Sequence, residues 1–232
     1  AFATDWWAII FNPSMPYRLA HMLLASGLTV AFLVAGISAI RLLWGDTKES
    51  VKSTLRVGVL LAAGLIPAQI LMGDFHGLNT LEYQPQKVAA MEGNWETGGN
   101  VPLLLFAIPD EEARENRFEI GIPSGASVIL KHSPDGVVPG LNDFVAEDGT
   151  PLHPPVTAVF WSFRIMVGTG MAMLLLSWAG AYALRRRGAG NMPKILLLAF
   201  SGMAFSGWIA TLAGWYTTEI GRQPWLVQGV MT

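Results

Sequence analysis

Seven side chains carry most of the chemistry this sequence offers: His21, Lys87, Glu92, Arg164, Met166, Glu219 and Arg222. His21 stands in YRLAHMLLASG, near the start of a long apolar run. An ionisable group inside such a run is costly and usually functional. From its surroundings it is a haem ligand, a proton relay or a hydrogen-bonded packing residue. Ala25, Ser26 and Gly27 behind it offer the close approach that a flat macrocycle needs. Met166, in FWSFRIMVGTG, is a possible partner, because a His/Met pair keeps iron six-coordinate at a raised potential suited to electron transfer. Methionine in a membrane helix is ordinarily core filler, and the chain has 10 of them. Lys87 and Glu92 lie together in PQKVAAMEGNWET; on the bland reading they are solvated charges on a surface helix. Glu219 and Arg222 are spaced to form an ion pair within one helix. Arg164, on another side of its helix from Met166, can snorkel to an interface.

These groups need a membrane scaffold. Of the 232 residues 52% are hydrophobic and only 14% charged, against about 25% in ordinary soluble domains. The net charge of -2 and the lack of a basic tract leave no case for nucleic acid. The absence of cysteine excludes disulfides, thiolate metal sites and c-type haem attachment. Four spans are expected, over about 17–44, 55–72, 156–184 and 192–218, each near the ~20 residues a bilayer requires. Residues 1–16 read as an interfacial segment, 17–72 and 156–218 as two pairs of transmembrane helices, 73–155 as a long loop, and 219–232 as an end on the loop's side. Lys and Arg concentrate between the first two spans (Arg41, Lys48, Lys52, Arg56) and between the last two (Arg185, Arg186, Arg187, Lys194). The positive-inside rule therefore puts the long loop outside.

Within that loop, Gly73-Asp74 and Gly77 are expected to end the second span. Pro85 should then open a short amphipathic helix carrying Val88, Met91 and Trp95 on one side, with Gly98-Gly99 stopping it. In the fourth span Trp208, Leu212, Trp215, Glu219 and Arg222 fall on one face. His132 and His153 read as solvated, and His76 as a neighbour of the short helix.

The strings GDFHG, QPQKVAAMEGNWET, FEIGIP, RLAHMLLASG, FRIMVGTG and GWYTTEIGRQPW together resemble subunit I of cytochrome bd-type quinol oxidases, in the family's order and over nearly the whole chain. The resemblance implies an all-α integral membrane protein, four transmembrane helices of a larger haem-binding bundle with an outer-face quinol loop of the short type. It implies that Lys87 and Glu92 serve quinol oxidation, Glu92 taking a proton and Lys87 binding or polarising the quinone oxygen. It implies that His21 and Met166 are the axial ligands of a low-spin haem b. Glu219 would ligate a high-spin haem, a second haem b or haem d, without the resemblance assigning which, and Arg164 and Arg222 would partner propionates. Partners implied are ubiquinol or menaquinol, dioxygen in the complete complex, a second oxidase subunit and the lipid of a bacterial cytoplasmic membrane. Further family helices hold the histidine ligand of the dioxygen-site haems and have no counterpart here, so the chain is expected to be a fragment that alone reduces no oxygen. Competing expectations are a b-type cytochrome subunit without oxygen chemistry, and a haem-free transporter or scaffold.

Overall fold

The structure, a computed structural model, describes residues 5–226 and 231; the parts of the expected terminal segments at 1–4, 227–230 and 232 lie outside it. Four helical stretches are long and apolar enough to cross a membrane: α2 (Met15–Leu43), α3 (Glu49–Tyr83), α6 (Val156–Arg187) and Lys194–Ile220, the last divided into α7 (Lys194–Gly202) and α8 (Ser206–Ile220). A short α1 (Trp6–Ile10) precedes them, its first turn capped by Asp5, whose carboxylate accepts from the Ala8 amide at 3.0 Å. Between α3 and α6 come α4 (Pro85–Glu92), a hairpin of β1 (Leu103–Asp110) and β2 (Glu115–Ile122), and α5 (Gly125–Lys131).

The second span departs from expectation. Gly73, Asp74 and Gly77 do not break it; α3 runs on for 35 residues. That is about 52 Å of helix against a hydrocarbon core of about 30 Å. Isolated glycines cost a helix only about 1 kcal/mol each relative to alanine, which packing readily offsets. The stop comes before Pro85, which disfavours helical geometry in the residue ahead of it; Gln84 is accordingly non-helical.

The chain forms two compact units, one from Ala1–Gly73 with Met166–Thr211, the other from Asp74–Ile165 with Leu212–Thr232. In the first, small residues let helices approach closely. Ala31, Ala35 and Ala39 of α2 join Leu55, Val59, Ala62 and Ile66 of α3, with Met173 and Leu176 of α6 and Phe200 of α7, in one buried cluster. A Cβ on Gly36 would stand 2.5 Å from the Ala204 Cβ and 2.8 Å from the Phe200 carbonyl; one on Gly58 would stand 2.9 Å from the Ala31 carbonyl. In a bilayer, where water does not drive helices together, such close packing supplies much of the association.

The second unit holds the loop. Its membrane part is helical as expected, but the loop contains an antiparallel hairpin that the sequence reading did not include. Leu103 pairs with Ile122 and Asp110 with Glu115, and irregularities lie on either side of Phe106. FEIGIP thus supplies most of the second strand. The Asp110 carboxylate accepts from the Glu112 and Ala113 amides and pairs with Arg117. The Ala113 bond first of all holds this half-buried carboxyl below the ordinary aspartate range.

Gly36→Val should overpack the contact of α2 with the Phe200–Ala204 stretch. The expected cost is about 1–3 kcal/mol, read as a lowered thermal-unfolding midpoint in detergent.

Candidate functional site

Helix α4 is short because Gly93 closes it in the left-handed conformation at φ 66°. A Cβ there would also meet the Phe160 ring at 3.0 Å. The helix therefore ends well before Gly98-Gly99, and Trp95 follows it rather than belonging to it. Nor is α4 amphipathic toward solvent, since every residue from Gln86 to Glu92 is buried. Ala89, Ala90 and Met91 pack with Trp95, Leu141, Val156 and Val159, while Val88 packs with Leu81, Val101 and Val138. The bland reading of Lys87 and Glu92 as solvated charges fails on this burial.

Glu92 is 6% exposed. Its Oε2 lies 3.3 Å from Nη2 of Arg164 on α6. Arg164 also donates to the Leu104 carbonyl at 2.7 and 3.0 Å and to the Met91 carbonyl, and its guanidinium stacks 3.8 Å from the centre of the Phe160 ring. Arg164 does not snorkel; its donors converge on the end of α4. Burial pushes the Glu92 carboxyl above the ordinary glutamate range, with the Arg164 guanidinium pulling the other way. Glu92 opens onto a cleft of about 360 Å³ lined by Trp95, Pro102, Leu104 and Asn116 among others, with Glu96, Arg114, Glu115 and Glu119 as its charged groups.

Lys87 is also buried, but it does not line that cleft. Its Nζ donates to the Thr218 carbonyl at 3.3 Å, in the last turn of α8, and its stem lies against Gly221. A cation suits the negative end of a helix dipole. Residues five apart in a helix diverge by about 140°, so Lys87 and Glu92 serve different neighbours. Glu219 and Arg222 pair at 3.0 Å, both substantially exposed. The stripe above them is present and outward: Trp208, Leu212 and Trp215 are all exposed. Each arginine expected to hold a propionate thus has a carboxylate partner here.

On α2, His21 is half-buried. Its Nε2 lies 3.0 Å from the Gln69 amide nitrogen of α3, a partner that sequence reading missed. Gly73 passes beside the imidazole, where a Cβ would sit 3.4 Å from Cε1. At Gly27 a Cβ would meet the tip of the Leu65 side chain at 2.8 Å, so its smallness admits the packing of α2 on α3. Met166 is half-buried on α6. His76 lies within α3, accepting from Thr80 through its carbonyl. His132 is exposed, whereas His153 is half-buried with its ring edge-on to Trp95.

The family profile described as cytochrome bd terminal oxidase subunit I matches residues 1–232. The chain belongs to that family. It is 36% identical to "Cytochrome bd ubiquinol oxidase subunit 1" of Bacillus subtilis (strain 168), over 98% of this chain and 50% of that protein. It is 27% identical to "Cytochrome bd-II ubiquinol oxidase subunit 1" of Escherichia coli (strain K12), over 98% and 56%. The solved bd oxidase of Geobacillus thermodenitrificans matches with a TM-score of 0.87 and 32% identity, over 98% of this chain and 51% of that one. The chain thus spans about half the length of the relatives it matches. The E. coli alignment runs over 290 positions, so that relative carries residues with no counterpart here, whereas the Bacillus one runs over 238.

Membership in the bd family implies haem. Among the described residues no three His, Cys, Asp or Glu come together as a metal-holding group. The candidate ligands stand singly instead, one donor on each helix, as a macrocycle requires and a bare ion does not. His21 and Met166 are the candidates that would supply the imidazole and thioether of a six-coordinate iron. The surface one turn beyond Met166 is open at Gly170, where a Cβ would meet nothing within 4 Å. These residues fit the group. Reduced-minus-oxidised spectra of membranes carrying the full-length parent should show a low-spin haem b band. Met166→Leu should abolish that band or convert it to high-spin; an unchanged band would remove Met166 as a ligand.

Proposed function

We propose that this chain is the quinol-oxidising part of a membrane terminal oxidase subunit, with the cleft beside Glu92 as its quinol site. The observation that carries the reading is the buried Glu92 carboxylate, held by Arg164 and lining a cleft that sets the apolar surfaces of Trp95, Val101, Pro102 and Leu104 among charged and amide side chains. A carboxyl whose affinity for protons is raised by burial is a good acceptor for the proton of a quinol hydroxyl. Glu92 takes that proton, and Arg164 keeps the carboxylate ionised and aimed until it does. Haem b on His21 and Met166 supplies a one-electron acceptor of raised potential. Glu219, released from Arg222 or sharing it, would hold a high-spin haem in the complete subunit, a group that would supply the dioxygen-reducing chemistry.

Lys87 takes a different part from the one its sequence position suggests. Turned onto Thr218, it acts as a positioning residue for the last turn of α8, which carries Glu219. The basic loops favour the long loop on the outer face of a bacterial cytoplasmic membrane. A second oxidase subunit completes the assembly, and the substrate is a quinol, ubiquinol in the printed names of two relatives and menaquinol in that of a third. Membership in an oxidase family leaves the haem-free transporter and the oxygen-independent b-type cytochrome without support.

In the full-length parent, Glu92→Gln should slow quinol oxidation by about 10²-fold or more. Oxygen consumption driven by an artificial donor that reduces the haems directly should persist. Equal quinol oxidation rates in variant and parent would sink the assignment.

The same geometry sets a pH dependence. The rate requires ionised Glu92, so it should fall as pH drops through that group's raised pKa. Arg164 lowers this pKa, so removing the guanidinium raises it further. Arg164→Gln should therefore move the acid limb of the pH profile to higher pH, and Arg164→Lys should move it less. The cleft charges Glu96, Arg114, Glu115 and Glu119 are unchanged in both variants.

A further inference from the structure

We infer that the β1–β2 hairpin is the wall that sets how tightly the cleft holds its ligand, and that Asn116 is the positioning residue that pins this wall to the end of α4. The inference rests on the quinol reading of the cleft. Asn116 lies on β2 opposite Pro109, a rung at which proline has no N–H to give to the ladder. Its side chain makes the tie instead. Oδ1 accepts from the Trp95 indole Nε1 at 3.1 Å, and Nδ2 donates to the Gly93 carbonyl at 2.9 Å and to Glu119 Oε1 at 2.9 Å. Both amide hydrogens are used, and one carboxamide joins the strand, the helix cap beside Glu92 and the indole.

At this end the β1 and turn side is tied to α6, where the Thr157 amide donates to Glu111 at 3.0 Å and its hydroxyl to the Pro109 carbonyl at 3.5 Å, whereas on β2 the tie is Asn116. The β1 side is anchored on α6 by Leu104 and Ala107 against Phe160 and by Phe106 edge-on to Trp161 at 5.2 Å between centroids. On β2, Phe118, Ile120 and Ile122 point outward, at 76%, 63% and 50% exposure. Trp95, by contrast, is buried, with its ring edge-on to His153, so its orientation is set from both sides. The indole and the hairpin are adjoining parts of the cleft lining. With the carboxamide gone, each can shift independently and the slot for a flat aromatic ring widens. Glu92 and Arg164 keep their own contacts, so binding suffers and proton transfer does not.

The test uses the full-length parent in membranes. Asn116→Ala should raise KM for quinol about tenfold while kcat stays within about twofold, the pattern of lost uniform binding. The haem spectrum should be unchanged. Trp95→Phe, which keeps a ring but removes the indole N–H, is a milder variant and should raise KM by a smaller factor. The double variant should be no worse than Asn116→Ala alone, because both changes break one shared bond. An unchanged KM in either single variant overturns the inference, as does additivity in the double variant or a KM rise accompanied by haem loss. Glu92→Gln run alongside separates the two readings. If it abolishes quinol oxidation while Asn116→Ala leaves KM alone, the site stands and the pin falls; if it has no effect, the quinol site itself is misplaced.

Discussion

A carboxylate and a guanidinium buried side by side are the constraint around which the second unit is arranged. Removing two charges from water costs several kcal/mol per ion even after relaxation. That cost is tolerable only if their mutual attraction is joined by hydrogen bonds to the remaining donors. Glu92 and Arg164 meet this demand with three further groups. Arg164 takes the carbonyls of Met91 and Leu104 and the face of Phe160. These contacts dictate where α4 must end, where β1 must begin and which residue of α6 must face them.

The local consequences follow from that demand. Met91 can offer its carbonyl because α4 stops one residue later, and α4 stops there because Gly93 takes a left-handed conformation with the Phe160 ring against it. Leu104 can offer its carbonyl because the strand irregularity between Leu104 and Phe106 relieves it from regular pairing. A buried ion pair is weak evidence for stability. Its place beside a cleft accords with the proposed role of Glu92 as a proton acceptor held fixed by Arg164.

The first unit obeys a different rule. Its helices are held by small residues, Gly36 and Gly58 with Ala31, Ala35 and Ala204, whose value lies in the backbone approach they permit. Gly27 obeys the same rule, its missing side chain leaving room for the tip of Leu65. The fold of this half-length chain nonetheless superposes closely on a solved bd oxidase at modest identity, as packing by residue size rather than by residue identity would allow.

The sequence by itself determined the four apolar spans, the helical membrane class, the loop between the second and third spans, and the motif residues that announce the family. All of these depend on hydropathy, spacing or short strings, which are local properties. It did not determine where α3 ends, because two glycines and an aspartate are weak breakers against a helix supported by packing, whereas Pro85 is a strong one. It also did not determine the hairpin, whose irregular pairing hides the alternation that marks a strand. Only the tertiary structure decided that Glu92 is paired with a residue 72 positions away and Lys87 with one 131 positions away. Only it revealed that Asn116 joins the strand to the helix cap. Whether a charge is solvated, paired or poised for chemistry depends on what folds against it, and no local pattern carries that information.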